Sequence, residues 1–253
     1  MRSRFRLISF AVSAVALPFV VAATLVASAQ TPPERKAVPD DAAWAKTYAT
    51  DCGAAMKHRC PPSTSGYENE FAGDPRFLPL IKHSLPQRES WWVNGYGGSA
   101  PVSSIVQEFI GVPGDLLLDD NRYVTATGCV PHDCGDGGML WVDTGTQPAT
   151  VVFIAHVAIE SPTGDAGKHL WLYGSKTLNF QALPSDLLAN LQRWHSSLVA
   201  SVQKLPEPDR AIFSKRIALA TIVQPNGRMR DLTYDMLFYK QNESHFPTPG
   251  AKQ

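Results

Sequence analysis

Hydrophobic positions change their spacing along the chain, and each change predicts an element. Short β-branched or aromatic runs, bounded by Gly, Pro and Asp clusters, occur at 91–93, 105–110, 122–127, 139–144, 150–158 and 170–173. Such runs read as strands of a mostly antiparallel sheet. After Ser185, expected as an N-cap, Leu187, Leu188, Leu191, Trp194, Leu198, Val199 and Val202 recur at helical spacing, predicting a helix with one face on that sheet. Upstream, Ala42, Trp44, Ala45, Tyr48 and Ala49 mark a short amphipathic helix, residues 61–73 read as loop, and Asp74 and Pro75 suit the N-cap and N1 of a helix through Lys82. The last 50 residues predict a short helix after Pro208 and a hairpin of 217–223 with 228–234 around Gln224-Pro225-Asn226-Gly227. No internal repeat occurs, and the tail beyond Asn242 reads as frayed. The expected class is α+β: an antiparallel sheet with helices packed on one face, plus N- and C-terminal extensions.

The N-terminus changes what the rest of the chain means. Arg2, Arg4 and Arg6 precede an apolar run from Leu7 to Val26 that ends in Ala27-Ser28-Ala29. This is the pattern of a secretory signal peptide cut after Ala29, and Ser9, Ser13 and Pro18 interrupt the run in a way that disfavours a retained anchor. No cysteine adjoins the cut, so a periplasmic protein with no membrane attachment after signal removal is expected. The organisation is then a signal peptide at 1–29, a Pro-rich linker and helical extension at 30–73, a main domain at 74–197 and a C-terminal extension at 198–253. The whole chain of 253 residues balances 23 basic against 23 acidic residues. Residues 1–29 hold three of the arginines and no acid, which leaves 20 against 23, a net charge of −3. That balance disfavours a nucleic-acid binder.

Four cysteines fall into two close pairs, Cys52 with Cys60 and Cys129 with Cys134. In an exported chain each pair is expected to close a small disulfide loop, although three connectivities are open to four cysteines. A zinc site would recruit His58 and His132, but neither pair has C-x2-C spacing, and neither offers the C-x-x-C of a redox helix. No metal or cofactor is expected. The second pair encloses the most informative segment, Cys129-Val130-Pro131-His132-Asp133-Cys134-Gly135. A strand feeds the loop, Pro131 fixes one φ, and a bridge would hold His132 and Asp133 out from the body in a nearly single conformation. Gly135, Gly137 and Gly138 are expected to let the chain turn sharply into the next strand.

This segment closely resembles the C-x-P-H-D-C loop of the Ivy family, the periplasmic inhibitors of vertebrate, chicken-type lysozyme. The flanks at 77–92, 101–102, 118–123, 139–141, 151–153 and 176–178 are similar to that family's helix, turn and strands. The resemblance covers about residues 75–195; Ser104 to Leu117 reads as an insertion, and residues 41–73 and 198–253 have no counterpart. It implies an inhibitor, not an enzyme, that pushes the loop into the substrate cleft of lysozyme or a related peptidoglycan-cleaving enzyme. His132 would sit between the two catalytic carboxyl groups, about 5 Å apart in a retaining glycosidase, and bond both. Asp133 would orient His132 or meet an arginine of the enzyme. The bridge and Pro131 would supply rigidity, and Gly135 close approach. A charge of −3 suits a basic target. A homodimer is allowed.

Two other readings stay open: a regulator of endogenous lytic transglycosylases, or an exported metal-binding or enzymatic protein using His132 and Asp133 with a further histidine. Bland roles are assigned elsewhere. His156, in an apolar strand, reads as core or edge, and His58, His83, His169, His195 and His245 show no convergent partners. Trp91 and Trp92, adjacent on an expected strand, should point to opposite faces, which disfavours a sugar platform. Asp74, Asp115, Asp119 and Asp120 read as turn and cap residues.

Overall fold

The computed structural model describes residues 42–52, 68–92, 98–158, 167–179, 181–207, 210, 217–233 and 237–238. The expected signal segment and linker, Cys60 and, apart from Arg210, the expected helix after Pro208 lie outside the described residues. A 3-10 turn at Ala43–Thr47 leads to β1 (Thr50–Asp51), then α1 (Glu68–Gly73), α2 (Phe77–Ser84), β2 (Arg88–Glu89), β3 (Ala100–Pro101) and α3 (Val102–Phe109). There follow β4 (Val112–Asp119), β5 (Tyr123–Val130), β6 (Asp133–Asp143), β7 (Thr150–Ala158), β8 (Lys168–Gly174), α4 (Ser185–Gln203), β9 (Ile217–Val223) and β10 (Met229–Leu232). Eight strands form one sheet in the order β1-β4-β5-β6-β7-β8-β9-β10. The α+β class is as expected. The middle of the sheet is antiparallel, while β1 on β4 and β8 on β9 are parallel. Parallel neighbours need a crossover, and α4 provides it between β8 and β9.

The helices are not confined to one face, which corrects that expectation. Leu140, Val142, Val151, Phe153 and Ala155 pack under α2 and α3 through Phe77, Ile81, Ile105, Val106 and Phe109. Met139, Trp141, Val152 and Ile154, alternating with them on β6 and β7, pack on the other face against Leu187, Leu191 and Trp194 of α4. The cause is visible in composition: 139–142 and 151–155 are apolar at every position, as strands covered on both sides must be.

Segment 105–110 is not a strand. Val102, Ile105, Val106 and Phe109 are all fully buried, and their i, i+3, i+4, i+7 spacing is helical although three of the four are β-branched. The expected insertion, 104–117, supplies the rest of α3 and most of β4. Pro113, Gly114 and Asp115, which read as breakers, lie where the β4–β5 register slips, and the Asp115 N–H is taken up by Thr127 Oγ1 at 2.8 Å. Residues 68–73, read as loop, are α1. Ser185 is the first residue of α4 rather than its cap. Asp74 and Pro75 are not the cap and first residue of α2, which opens at Phe77 with Arg76 in the N-cap position; the Asp74 carboxylate instead accepts the Arg76 N–H at 2.8 Å and binds the Arg76 guanidinium just ahead of the helix. The C-terminal hairpin forms as expected, adding β9 and β10 to the sheet.

Candidate functional site

The β5–β6 connection carries the loop singled out by sequence. Val130 pairs with Asp133, so Pro131 and His132 alone make the turn. His132 has φ 66, and proline followed by a left-handed residue is the pattern of a type II turn. One residue earlier Cys129 pairs with Gly137, so Cys134, Gly135 and Asp136 bulge out of β6 without partners on β5. The disulfide joins the two strands across this bulge, with Cα atoms of Cys129 and Cys134 4.9 Å apart. Cys52 is also disulfide-bonded, and its expected partner Cys60 lies outside the described residues.

Exposure changes abruptly within the loop. Val130 is buried in the α3 side of the core, whereas Pro131, His132, Asp133 and Cys134 are exposed. The proline ring leans on Gly111, just beyond α3: a Cβ placed there would come within 3.1 Å of Pro131 Cγ. Asp133 turns back on the loop, its Oδ1 accepting the Gly135 N–H at 3.1 Å. A Cβ at Gly135 would sit 2.7 Å from the same oxygen, so a larger residue there would push the carboxylate aside. The carboxylate therefore shapes the loop rather than orienting the imidazole.

Beneath the bulge lies an ion pair that the sequence did not signal. Lys168, the first residue of β8, donates from Nζ to Asp136 Oδ1 at 3.0 Å and to the Gly135 carbonyl at 2.9 Å. The other bond of Asp136 Oδ1 is to the Ala158 N–H at 2.8 Å. Both side chains are less than a tenth exposed. One buried ammonium thus ties the loop base to β8, and its partner carboxylate ties it to the end of β7. Asp136 lies between glycines and Lys168 opens an apolar strand, so nothing in the local pattern pairs them.

Gly137 and Gly138 are not turn residues, contrary to expectation. They are paired within β6, and neither has a positive φ. They are small because other groups come close: a Cβ on Gly138 would meet Phe109 Cβ at 2.8 Å, and one on Gly137 would meet the Gly128 carbonyl at 3.0 Å. The turn itself is made by Pro131 and His132.

The loop does not stand alone. His132, Asp133, Cys134 and Gly135 form one wall of an open groove of about 450 Å³, and Ser201, Val202 and Leu205 at the C-terminal end of α4 form the other. The approach of α4 is a tertiary event that the sequence of the loop could not announce.

The other candidates have structural surroundings. His156 is fully buried on β7, within ring contact of Trp194 at 6.1 Å and of His195 at 6.4 Å. His156 is thus a core residue, as expected, whereas His195 of α4, read as without convergent partners, meets it. His169 also has a partner, Thr221 Oγ1 at 2.9 Å, and burial lowers its pKa against the opposing charge of Asp231. Trp91 and Trp92 are not on a strand and do not diverge. Trp91 stacks on Trp171 at 5.3 Å and Trp92 meets Phe109 edge-on at 4.6 Å, both against the same face of the sheet. Asp119 does more than turn the chain, forming a buried bidentate pair with Arg193. Among the described residues no group of three or more His, Cys, Asp or Glu is placed to hold a metal ion, and no helix is long and apolar enough to cross a membrane.

No family model, no curated protein and no solved structure matches the chain.

Proposed function

We propose that this chain is an exported inhibitor of a lysozyme-type glycosidase, and that the Cys129–Cys134 loop is its effector, with His132 as the group that enters the catalytic cleft. The observation carrying this reading is the state of His132: an exposed imidazole at φ 66, at the apex of a two-residue turn closed by a disulfide. Left-handed backbone costs a non-glycine residue free energy and persists where the surroundings over-determine it. Here Pro131, the bridge, the Asp133–Gly135 bond and the Lys168 anchor all restrict the same few residues. A loop held in this way loses little conformational freedom on binding, which converts contact into affinity. A neutral imidazole has one donor and one acceptor nitrogen. Such a group complements a retaining glycosidase, whose two carboxyls lie about 5 Å apart with one protonated and one ionised.

Inhibition of chicken-type lysozyme on cell walls tests the reading. The bond to the ionised carboxylate contributes roughly 1.5 kcal/mol or more and the bond to the protonated carboxyl about 1 kcal/mol, so losing both with His132→Ala weakens inhibition by about 100-fold. The Cys129→Ser, Cys134→Ser double variant loses inhibition through loosening of the loop. A parent protein that leaves lysozyme active but blocks a lytic transglycosylase moves the target to the cell's own enzymes. Inhibition that survives His132→Ala removes the loop mechanism.

A further inference from the structure

We propose that the groove beside the loop is a site of thiol–disulfide exchange, where a dithiol opens the Cys129–Cys134 bridge and so turns the effector off, a consequence that rests on the inhibitor reading above. Cys134 is exposed and lies in the bulge of β6. It belongs to the wall of the groove that Ser201, Val202 and Leu205 face from the end of α4. That space of about 450 Å³ is in the range that admits a small molecule, so an attacking thiolate has an open path to this cysteine. Cys52, the other described cysteine in a disulfide, is only 4 % exposed. Exchange depends on which sulfur a thiolate can reach, and exposed bridges are the labile ones. Attack therefore falls on Cys134, with the half-buried Cys129 as leaving group.

One thiolate of the dithiol attacks Cys134 Sγ, the bond to Cys129 Sγ breaks, and its electron pair leaves on Cys129. The second thiolate of the dithiol attacks the reagent sulfur now bound to Cys134, closes the reagent's own disulfide and releases Cys134 as thiolate. Both cysteines are reduced and take up two protons, and the dithiol is oxidised and gives up two.

The opening is local because the restraints on the loop divide into two sets. At the tip, only the pairing of Val130 with Asp133 joins the strands beyond Cys129 and Gly137 once the bridge is cut. His132 then has little to hold it at φ 66, a backbone that costs a residue with a Cβ free energy. The bond from the Gly135 N–H to Asp133 is exposed, where water competes for both groups. At the base, Lys168 still holds the Gly135 carbonyl and Asp136, and the Ala158 N–H still holds Asp136. From Gly137 onward β6 remains paired with both β5 and β7. Reduction thus frees residues 130–134 and leaves the sheet in place, and the intact ladder keeps the two cysteines near enough to close again.

The test treats the folded protein with dithiothreitol without oxygen, blocks new thiols with iodoacetamide and maps them by mass spectrometry. Cys129 and Cys134 are expected to label at least tenfold faster than Cys52, while the 15N amide spectrum changes around 128–136 and not in β7. Ser201→Trp, which fills the groove from an exposed position on α4, should slow opening at least fivefold. After desalting without oxygen, the reduced protein should inhibit lysozyme at least tenfold less well than the parent, and oxidised glutathione should restore both inhibition and spectrum. A bridge that opens only when the protein unfolds, labelling no faster at Cys134 than at Cys52, or an unchanged rate in Ser201→Trp overturns the exchange site. A reduced protein that inhibits as well as the parent overturns the switch. Local, reversible opening in a parent that never inhibits lysozyme supports the exchange site and removes the inhibitor reading instead.

Discussion

The two ends of β5 are both tight turns with left-handed residues, yet they are built on different principles. At the β4 end, Asp120 and Asn121 have φ 52 and 51, and the Arg122 N–H closes the turn on the Asp119 carbonyl at 3.0 Å. Asp and Asn tolerate this backbone, and two successive positive φ values are what a type I′ hairpin needs. The turn is then stapled to the body, Asp119 to Arg193 and Arg122 to Asp143. At the other end the turn residues are proline and histidine, the tip is exposed, and the restraints are local: a disulfide, a side-chain to backbone bond and one ammonium beneath. The first turn uses residues chosen for their conformation and fixes strand register. The second holds a residue whose side chain has chemistry to offer, and recruits restraints to keep it in place.

The largest expected effect strikes the loop end from below. Lys168→Met leaves Asp136 buried without its cation, and breaking a buried pair in this way costs about 3–5 kcal/mol. Urea unfolding measures the loss. Inhibition should weaken beyond what the folded fraction explains, because Gly135 loses its tether as well; if inhibition merely tracks the folded fraction, the anchor has no role in positioning.

A smaller effect separates conformational fit from stored strain. Asn121→Ala forces alanine into left-handed backbone and is expected to cost about 1 kcal/mol. Asn121→Gly should be near neutral. His132→Gly relieves the same penalty at a residue with no packing role, so the protein should be at least as stable as the parent while inhibition is lost. A His132→Gly variant less stable than Asn121→Gly would show that the imidazole contributes to the fold, and the contrast between the turns would collapse.

The smallest effect is the pH dependence of the stapled turn. Burial pushes the Asp143 carboxyl up, but the Arg122 guanidinium and the Gly145 N–H outweigh it and hold the pKa below its ordinary value. The folded state therefore binds fewer protons than the unfolded state in acid. Stability from this pair is complete above the unfolded pKa near 4 and is lost as pH falls through the folded value. Arg122→Gln should move the acid limb of the unfolding profile to higher pH, as followed by circular dichroism, and leave the loop end unaffected at neutral pH.

Much of the architecture was legible because local composition decided it. The apolar runs of β6 and β7, the periodic face of α4 and the Asn-Gly turn between β9 and β10 are read from nearest neighbours in the chain. The misreadings have specific causes. In α3, β-branched composition conflicted with helical spacing, and the amphipathic face won because the core rewards its burial. In β4, Pro113 to Asp115 have breaker chemistry that an irregular register absorbs at one position. Gly137 and Gly138 looked like hinge residues, whereas the requirement they meet is set by Phe109 on one face and the neighbouring strand backbone.

By itself the sequence determined the strands from β5 to β9 and the C-terminal hairpin, the expectation that the close cysteines Cys129 and Cys134 bridge, and the identity of the residue between them, because each depends on chain-local spacing and side-chain chemistry. Tertiary structure decided what those features stand against. It brought Lys168 under Asp136 and set the end of α4 across a groove from His132. These contacts join residues tens of positions apart, and their existence depends on which strands pair and where the crossover helix lands. No local pattern records that choice, since it emerges only when both faces of β6 and β7 must be buried at once.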